Sequence, residues 1–584
     1  MKKIGLAMML LVMLVGITRA WTFTPAKLGG RIVGGDYDPI GKPASVIYSS
    51  FLSSPGESID YTWYDYQHNG TISRMIAIDG VGNGGLHVCY MLSPDGSNQI
   101  RMAAYQFNDR AGGGWSGSLN AGSGRCGYTT IAVLSDGRAV EAFHKVGGAG
   151  LRATVAVDMA RGSGAFVMTS VDTVTFPPGA NCPIWPHVAV GPTDIIQVVA
   201  HHQAIDEDYR SRSTDAGTTF SRWARVGGDT MQGWITADVI TSRMSGKAAI
   251  AWCRARPTSP NGYVNMDLCY IESTDHGLTW GPRVNVTNYQ ASDTVRAYCD
   301  VSGIYDNNDD LHLAWAGERA LNDNTYYNAS AIFHWSQATG IDLVSGMVPP
   351  WAKWPGTFWW DQDSAMGVWK LGADRPSLSI DTQGRLFCVW TGQIVPDDTS
   401  QGGVPNGDLY GRGSEDGGNT WGAFGRTDTM IYITNSHTPG APPGACDDDD
   451  YPSITKITTD SVRILFIEDK DAGSSVANEG STTANPVKYL AVKADWFWPP
   501  SVVETPVGRF DGLTVGQLKA QPNPFASFAR VPGREAENFE LYDISGRRIG
   551  TYRGDRIGQD LGPGVYFLKL EHGHAKPFWI VKVK

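Results

Sequence analysis

Three arginines stand where short apolar runs begin or end: Arg254 follows the run 249–253, Arg296 precedes the run opening at Tyr298, and Arg375 precedes Pro376. A guanidinium fork can hold a carboxylate by paired hydrogen bonds, so three converging arginines would form a receptor for an acidic group. Other polar residues occupy comparable positions. Trp185 and Tyr451 each open a strand before a proline, while His144, His201, His202, Glu318, Arg319, Glu468 and Asp469 each close one. The acidic run Asp447 to Asp450 is a candidate calcium ligand set, but four consecutive acids cannot all face one ion, so a solvated charged loop is expected. His201 and His202 lack a nearby third ligand and read as a solvated loop pair. No cofactor is expected, and no cysteine or histidine group has zinc spacing.

The elements that must position these residues are strands. The 584 residues include 70 Gly, 20 Trp and 23 Tyr with only 18% charged residues, and no long amphipathic helix is apparent. That composition describes many short strands and tight turns. One octet recurs: Ser213-Thr214-Asp215-Ala216-Gly217-Thr218-Thr219-Phe220, Ser273-Thr274-Asp275-His276-Gly277-Leu278-Thr279-Trp280 and Ser414-Glu415-Asp416-Gly417-Gly418-Asn419-Thr420-Trp421. A degenerate copy, Ser336-Gln337-Ala338-Thr339-Gly340-Ile341, has Ala338 at the aspartate position, and the four positions are 60, 63 and 78 residues apart. Serine and aspartate side chains satisfy turn amides, and glycine supplies a positive φ. Around these turns runs a recurring unit, an apolar strand, a polar turn and a stronger apolar strand, as in 376–390. Further units fall at 74–91, 129–143, 186–200, 236–252, 298–315 and 452–466. About seven such units, within a range of six to eight, predict an all-β propeller of four-stranded blades, with residues 21–70 available to complete the last blade. Tyr305 to Asp310 reads as a turn between two strands. The ends of the inner and second strands should then converge on one mouth.

The Ser-x-Asp-x-Gly-x-Thr-Trp octets and the strands before them resemble the Asp-box, or BNR, repeats of sialidase-like propellers over residues 70–495. That resemblance implies a propeller domain over 21–495, with the octets between third and fourth strands and away from the active face. It also implies a division of labour at the mouth: Arg254, Arg296 and Arg375 for a sugar carboxylate, Tyr451 as a nucleophile activated by Glu318, and Trp185 and Glu468 as ligand contacts. Tyr451-Pro452-Ser453-Ile454 is similar to the family's tyrosine motif, whereas Gly30-Arg31-Ile32-Val33 departs from its Phe-Arg-Ile-Pro motif. The expected function is a secreted or cell-surface propeller binding an extracellular glycan or glycoprotein. The alternatives are an exo-acting glycoside hydrolase of sialidase type and a structural or adhesive surface protein. Trp351, Trp354, Trp359 and Trp360 lie in an insertion and would stack on sugars if exposed or cover a blade edge if buried.

The ends of the chain carry a separate message. Lys2 and Lys3 before an apolar run to Ile17, closed by Thr18-Arg19-Ala20, read as a signal peptide over 1–20; the run is shorter than the about 20 residues of a membrane span. Its removal takes three positive and no negative charges, moving the formal charge from −11 to −14, which disfavours nucleic acid and anionic membranes as partners. Residues 496–514 read as a linker, and 515–584 as a small antiparallel sandwich. This last stretch, with Gln521-Pro522-Asn523-Pro524-Phe525, Phe539-Glu540-Leu541-Tyr542-Asp543 and the closing Ile580-Val581-Lys582-Val583-Lys584, resembles the type A sorting domain of type IX secretion substrates. The resemblance implies export through the periplasm to the outer surface or medium, with the secretion machinery as partner. Eight cysteines in such a chain permit disulfides, and Cys253 with Cys269, on adjacent strands, is the expected pair.

Overall fold

A computed structural model describes residues 54–497 and 520–583, apart from 148–149, 177–181, 228–236, 257–264, 291, 322–323, 346–357, 360–366, 394–397, 424–429, 524, 533, 544–546 and 572–577. The chain separates into two compact units, Met1–Ser501 and Val502–Lys584. The expected signal segment (1–20), Gly30 to Val33, most of the expected linker, Trp351, Trp354 and Trp360 lie outside the described residues. The backbone of Trp359 pairs with Ala329.

The first unit is a propeller of seven antiparallel blades among the described residues. The inner strands are Ile76–Ile78, Cys126–Val133, Ile184–Val190, Asp238–Thr241, Val295–Tyr305, Ala373–Ile380 and Asp448–Ile454, in blades 1 to 7. Each packs against the inner strand of the next, and that of blade 7 against blade 1, so the ring is closed. Closure leaves no sheet edge open around the axis. The outer strand of blade 7 is the first described strand, Glu57–Thr62, paired to Asn485–Lys493. Blade closure therefore joins the two ends of the unit, as the early segment promised.

Second strands such as Leu86–Leu92, Ile196–His202 and Leu386–Gly392 are buried along their whole length, as an unbroken apolar run covered on both faces requires. Blade joins are stitched by serine hydroxyls. Ser302 accepts the Leu378 amide (3.1 Å), Ser377 the Ile454 amide (3.1 Å) and Ser453 the Met75 amide (2.8 Å), each from the following blade.

The octets sit between third and fourth strands, and the three full copies make the same bonds. In the second, Ser273 Oγ donates to Asp275 Oδ1 (2.8 Å) and accepts the Gly277 amide (2.8 Å), while Asp275 accepts from Thr279 N (2.8 Å) and Oγ1 (2.5 Å). The indoles of Trp280 and Trp421 donate to Gly277 O and Gly418 O, both at 3.0 Å. In the degenerate copy Ser336 bonds Thr339 directly (2.9 Å). Residues 306–310 form the expected turn, with Asp306 Oδ1 accepting the Asp310 amide at 2.7 Å.

All eight cysteines are free and buried. The expected Cys253–Cys269 bridge is ruled out by register: Cys253 faces Leu268 and Cys269 faces Trp252, so the two thiols leave opposite faces of the blade. Accordingly they belong to different packing clusters.

The second unit is a four-stranded antiparallel sheet in the order Arg548–Arg553, Asn538–Asp543, Gly564–Leu570, Phe578–Lys582. Short bridges, Gln521 with Arg530 and Ala529 with Ile557, share its core of Phe525, Val531, Phe539, Leu568 and Ile580.

Candidate functional site at the propeller mouth

Five inner strands break register near their first residues, between Gly127 and Thr130, Ile184 and His187, Ala297 and Val301, Asp374 and Ser377, and Asp450 and Ser453. In four of them the bulged residue has a left-handed backbone: Tyr128 (φ 48°), Trp185 (53°), Arg375 (53°) and Tyr451 (56°). Such a conformation costs a residue with a Cβ about 1–2 kcal/mol. Proline follows in three cases, removing a ladder donor where the bulge needs none. The repeated bulge carries large side chains at the entry of the inner strands, and strain of this kind concentrates where geometry serves a function.

Arg375 is the hub. Its guanidinium lies 4.1 Å from the centre of the Tyr451 ring, and its Nη1 is paired with the Asp450 carboxylate. Lys370 Nζ reaches Asp448 at 2.6 Å and Asp450 at 2.9 Å. Burial raises the proton affinity of Asp450, but Arg375 and Lys370 outweigh it and hold this carboxyl well below the usual range. Two further carboxyls, Asp300 and Asp374, lie within the field of the same arginine. Burial dominates there despite Arg375, pushing Asp300 up to about 6 and Asp374 well above its ordinary value. Around them burial also keeps the Tyr66, Tyr298 and Tyr451 phenols and the His68 imidazole uncharged.

The segment 63–75, between the outer strand of blade 7 and the inner strand of blade 1, supplies much of this lining. Thr71 Oγ1 donates to Cys299 O (2.9 Å). Asn69 Oδ1 accepts from Tyr66 OH (2.7 Å) and Trp369 Nε1 (2.8 Å), and Tyr64 OH meets Tyr128 OH at 3.2 Å. Arg74 donates to Ser377 Oγ (3.2 Å) and Ile454 O (2.8 Å) across the channel. In contrast, the hydroxyls of Tyr298 and Tyr451, the ring nitrogens of His68, and Nε and Nη2 of Arg375 make no hydrogen bond among the described residues. Donors and acceptors left open around a cation that keeps half its fork are equipped to bind an anionic, hydroxyl-rich ligand. Asp300, with a proton held to about 6, is a group able to donate that proton near neutrality.

Of the residues expected at the mouth, Arg375 and Tyr451 are together. The other assignments divide. Arg296 is buried and spent on Asn265 Oδ1 (2.6 Å) and the carbonyls of Asp293 and Val295, so it stays at the blade 4–5 boundary. Arg254, opposite Asp267 in register, is partly exposed, and its Nε is buried without a hydrogen-bond partner among the described residues. With Arg296 committed elsewhere, the three-arginine receptor is incomplete. Glu318 pairs in register with Arg296 and acts on the Tyr298 phenol, not on Tyr451. Glu468 is clamped by Lys470 and by Lys488 (3.1 Å), a structural ion triad. Trp185 is buried, stacked on His201 at 5.5 Å between centroids.

Two expectations of solvated loops are also corrected. His201 and His202 end a buried strand, and His201 Nδ1 bonds Asp208 at 3.0 Å. Asp448 to Asp450 start the inner strand of blade 7, where Lys370 and Arg375 neutralise Asp448 and Asp450; Lys470 neutralises Asp447 just before it.

Tyr66, His68, Tyr298, Asp300, Lys370 and Asp374 are the residues that strand-end reasoning missed. One signal was present: Asp374-Arg375-Pro376-Ser377 and Asp450-Tyr451-Pro452-Ser453 are two copies of Asp-x-Pro-Ser, each placing an aspartate and a strained residue at the mouth.

Fold and site together define a seven-bladed propeller with a buried, charged mouth. The sequence matches no family model and no characterised protein. Solved structures similar in fold include a PL25 polysaccharide lyase described as an ulvan lyase, at 11% identity over 75% of this chain and 96% of that one, TM-score 0.46. The polysaccharide lyase Uly1 is similar at 11% identity, covering 81% and 99%, TM-score 0.42. An α-L-arabinanase of Penicillium chrysogenum complexed with arabinobiose is similar at 11% identity, covering 63% and 93%, TM-score 0.37.

Proposed function

We propose that this protein is an exported propeller that binds an acidic glycan at its mouth. The observation that carries the reading is the Arg375–Tyr451 stack, in which one guanidinium nitrogen is committed to Asp450 and the rest of the fork is open. An arginine fork favours a planar carboxylate or a sulfate, and the phenols of Tyr298 and Tyr451 suit the hydroxyls beside it. Export rests on the apolar run behind Lys2 and Lys3 and on the likeness of 515–584 to type IX sorting domains, which make the outer surface or medium the destination. The binding test is affinity for acidic and neutral polysaccharides, alginate against dextran, with wild type and Tyr451→Phe and Tyr298→Phe variants. Preference for alginate, weakened in both variants, is expected. Equal retention of the two polysaccharides would refute it.

A hydrolase of sialidase type is a second reading, favoured by the Asp300 carboxyl, which keeps a proton to about 6 near Arg375. It does not use the Tyr451–Glu318 pair. Release of chromophore from a chromogenic sialoside by wild type, lost in Asp300→Asn, would support it; no release by wild type would remove it.

A further inference from the structure

The opposite end of the axial channel holds a second cavity, of about 480 Å³, built by the distal ends of the inner strands. Its walls are apolar, with Ile76, Ile131, Val188 and Val239 facing inward from blades 1 to 4. Its charged groups are gathered on one side. Lys456, Arg74 and Arg243 line it together with Asp238, and Asp194 stands at the rim bonded to Ser135 Oγ (2.7 Å). Ser135, Thr193 and Arg243 are exposed, so the cavity opens to solvent at this face.

The three cations are unequally engaged. Arg74 is held by Ser377 Oγ, Ile454 O and Gly303 O (3.4 Å), and Arg243 by Asn307 Oδ1 (2.5 Å). Asp238 accepts the Gly303 amide at 3.0 Å. Lys456 has a single hydrogen bond, to the neutral Thr241 Oγ1 at 3.1 Å, leaving two ammonium donors without an acceptor among the described residues. Burial and the neighbouring Arg74 lower its proton affinity to about 8, with Asp238 opposing, so it carries its charge at neutral pH. A half-buried ammonium short of protein acceptors, beside an apolar chamber open to water, suits an anion with an apolar body.

We infer that this chamber is a binding site for a small amphipathic organic anion, whose carboxylate or sulfate caps Lys456 and whose hydrocarbon lies along the walls of blades 1 to 4. The site is separate from the mouth and independent of the function proposed for it.

Calorimetric titration of the full chain with decanoate, decan-1-ol and inorganic sulfate tests the inference. Decanoate should bind one per chain, at least about tenfold tighter than either control, because each control offers only half of the recognition. Lys456→Met should weaken decanoate about tenfold and leave decan-1-ol unchanged, and Lys456→Arg should restore it. If Lys456→Met does not fold, as judged by circular dichroism, Val133→Phe in the cavity wall should weaken decanoate and decan-1-ol alike. No decanoate binding, equal affinity for decanoate and decan-1-ol, indifference to these substitutions, or displacement of decanoate by alginate would overturn it.

Discussion

Replacing Asp300 by Asn should make the propeller less sensitive to pH, and the size of the effect follows from burial. Asp300 lies in the inner-strand bulge of blade 5; its Oδ2 makes no hydrogen bond among the described residues, and burial pushes its carboxyl from 3.8 up to about 6 against the pull of Arg375. In the unfolded chain it reverts to its ordinary value. Between pH 3.8 and about 6 the folded protein therefore holds a proton that the unfolded chain has released, and stability falls as pH rises through that window. The displacement is worth about 3 kcal/mol at most, and the full loss is reached above pH 6. Asparagine has nearly the shape of the protonated acid and cannot ionise, so Asp300→Asn should abolish this component while Asp65 and Asp408, also raised to about 6, retain theirs. Urea unfolding at several pH values between 4 and 8, followed by tryptophan fluorescence, measures it. The signal reports the propeller unit, because Trp579 is the one tryptophan of the C-terminal unit. The stability difference between variant and wild type should grow by about 3 kcal/mol, or less after local relaxation, from the acid to the alkaline end. Parallel profiles would refute the assignment of a buried, proton-holding Asp300.

The remaining tests address the frame. Arg375→Met leaves Asp450 with Lys370 as its cation and should destabilise the protein by about 3–5 kcal/mol, read as a lower urea midpoint; a change near zero would show that the pair is not buried. In the second octet, Ser273→Ala and Asp275→Ala should each lower the melting temperature, and the double variant should lose less than the sum, because both residues serve one hydrogen-bond network. Gly277→Ala should destabilise by about 1–3 kcal/mol, since φ is +75° and a Cβ there would stand 2.4 Å from Gln197 Nε2. Unfolding without reductant should expose eight alkylatable thiols by mass, and a Cys253–Cys269 crosslinked peptide would contradict the strand register.

The propeller was legible because its information is local and repeated. The octets close on themselves through bonds spanning four residues, so their chemistry is visible in any one copy, and the unbroken second strands announce burial on both faces. The site was only partly legible because its pairings are not local. Arg375 meets a carboxylate 75 residues away and Lys370 one 78 residues away. Strand-end reasoning placed Arg254, Arg296 and Arg375 at comparable positions. It could not weigh their competing partners, and Asn265 with two carbonyls decides against Arg296. The same competition converted an acidic run from an expected solvated loop into the start of a buried strand. Three of the four acids, Asp447, Asp448 and Asp450, are buried against Lys470, Lys370 and Arg375, which arrive from elsewhere in the chain, while burial raises the proton affinity of Asp449.

One segment explains why closure of the ring and completion of the mouth cannot be separated. Glu57–Thr62 supplies the outer strand of blade 7, and the next residues cross directly to the centre before entering blade 1. Along that path Asp65 accepts the Ser475 amide (2.5 Å), Thr71 holds blade 5, and Arg74 ties blades 5, 6 and 7. Tyr66, His68 and Asn69 are thereby fixed at the mouth by bonds whose other ends lie on strands far apart in sequence. A strand pairing at the rim that loosened would release the same chain that lines the site, so the site forms only when the ring is shut. The same coupling brings Lys370 and Arg375, at the start of blade 6, to the buried Asp448 and Asp450 of blade 7, whereas His201 with Asp208 and Glu468 with Lys488 pair within single blades.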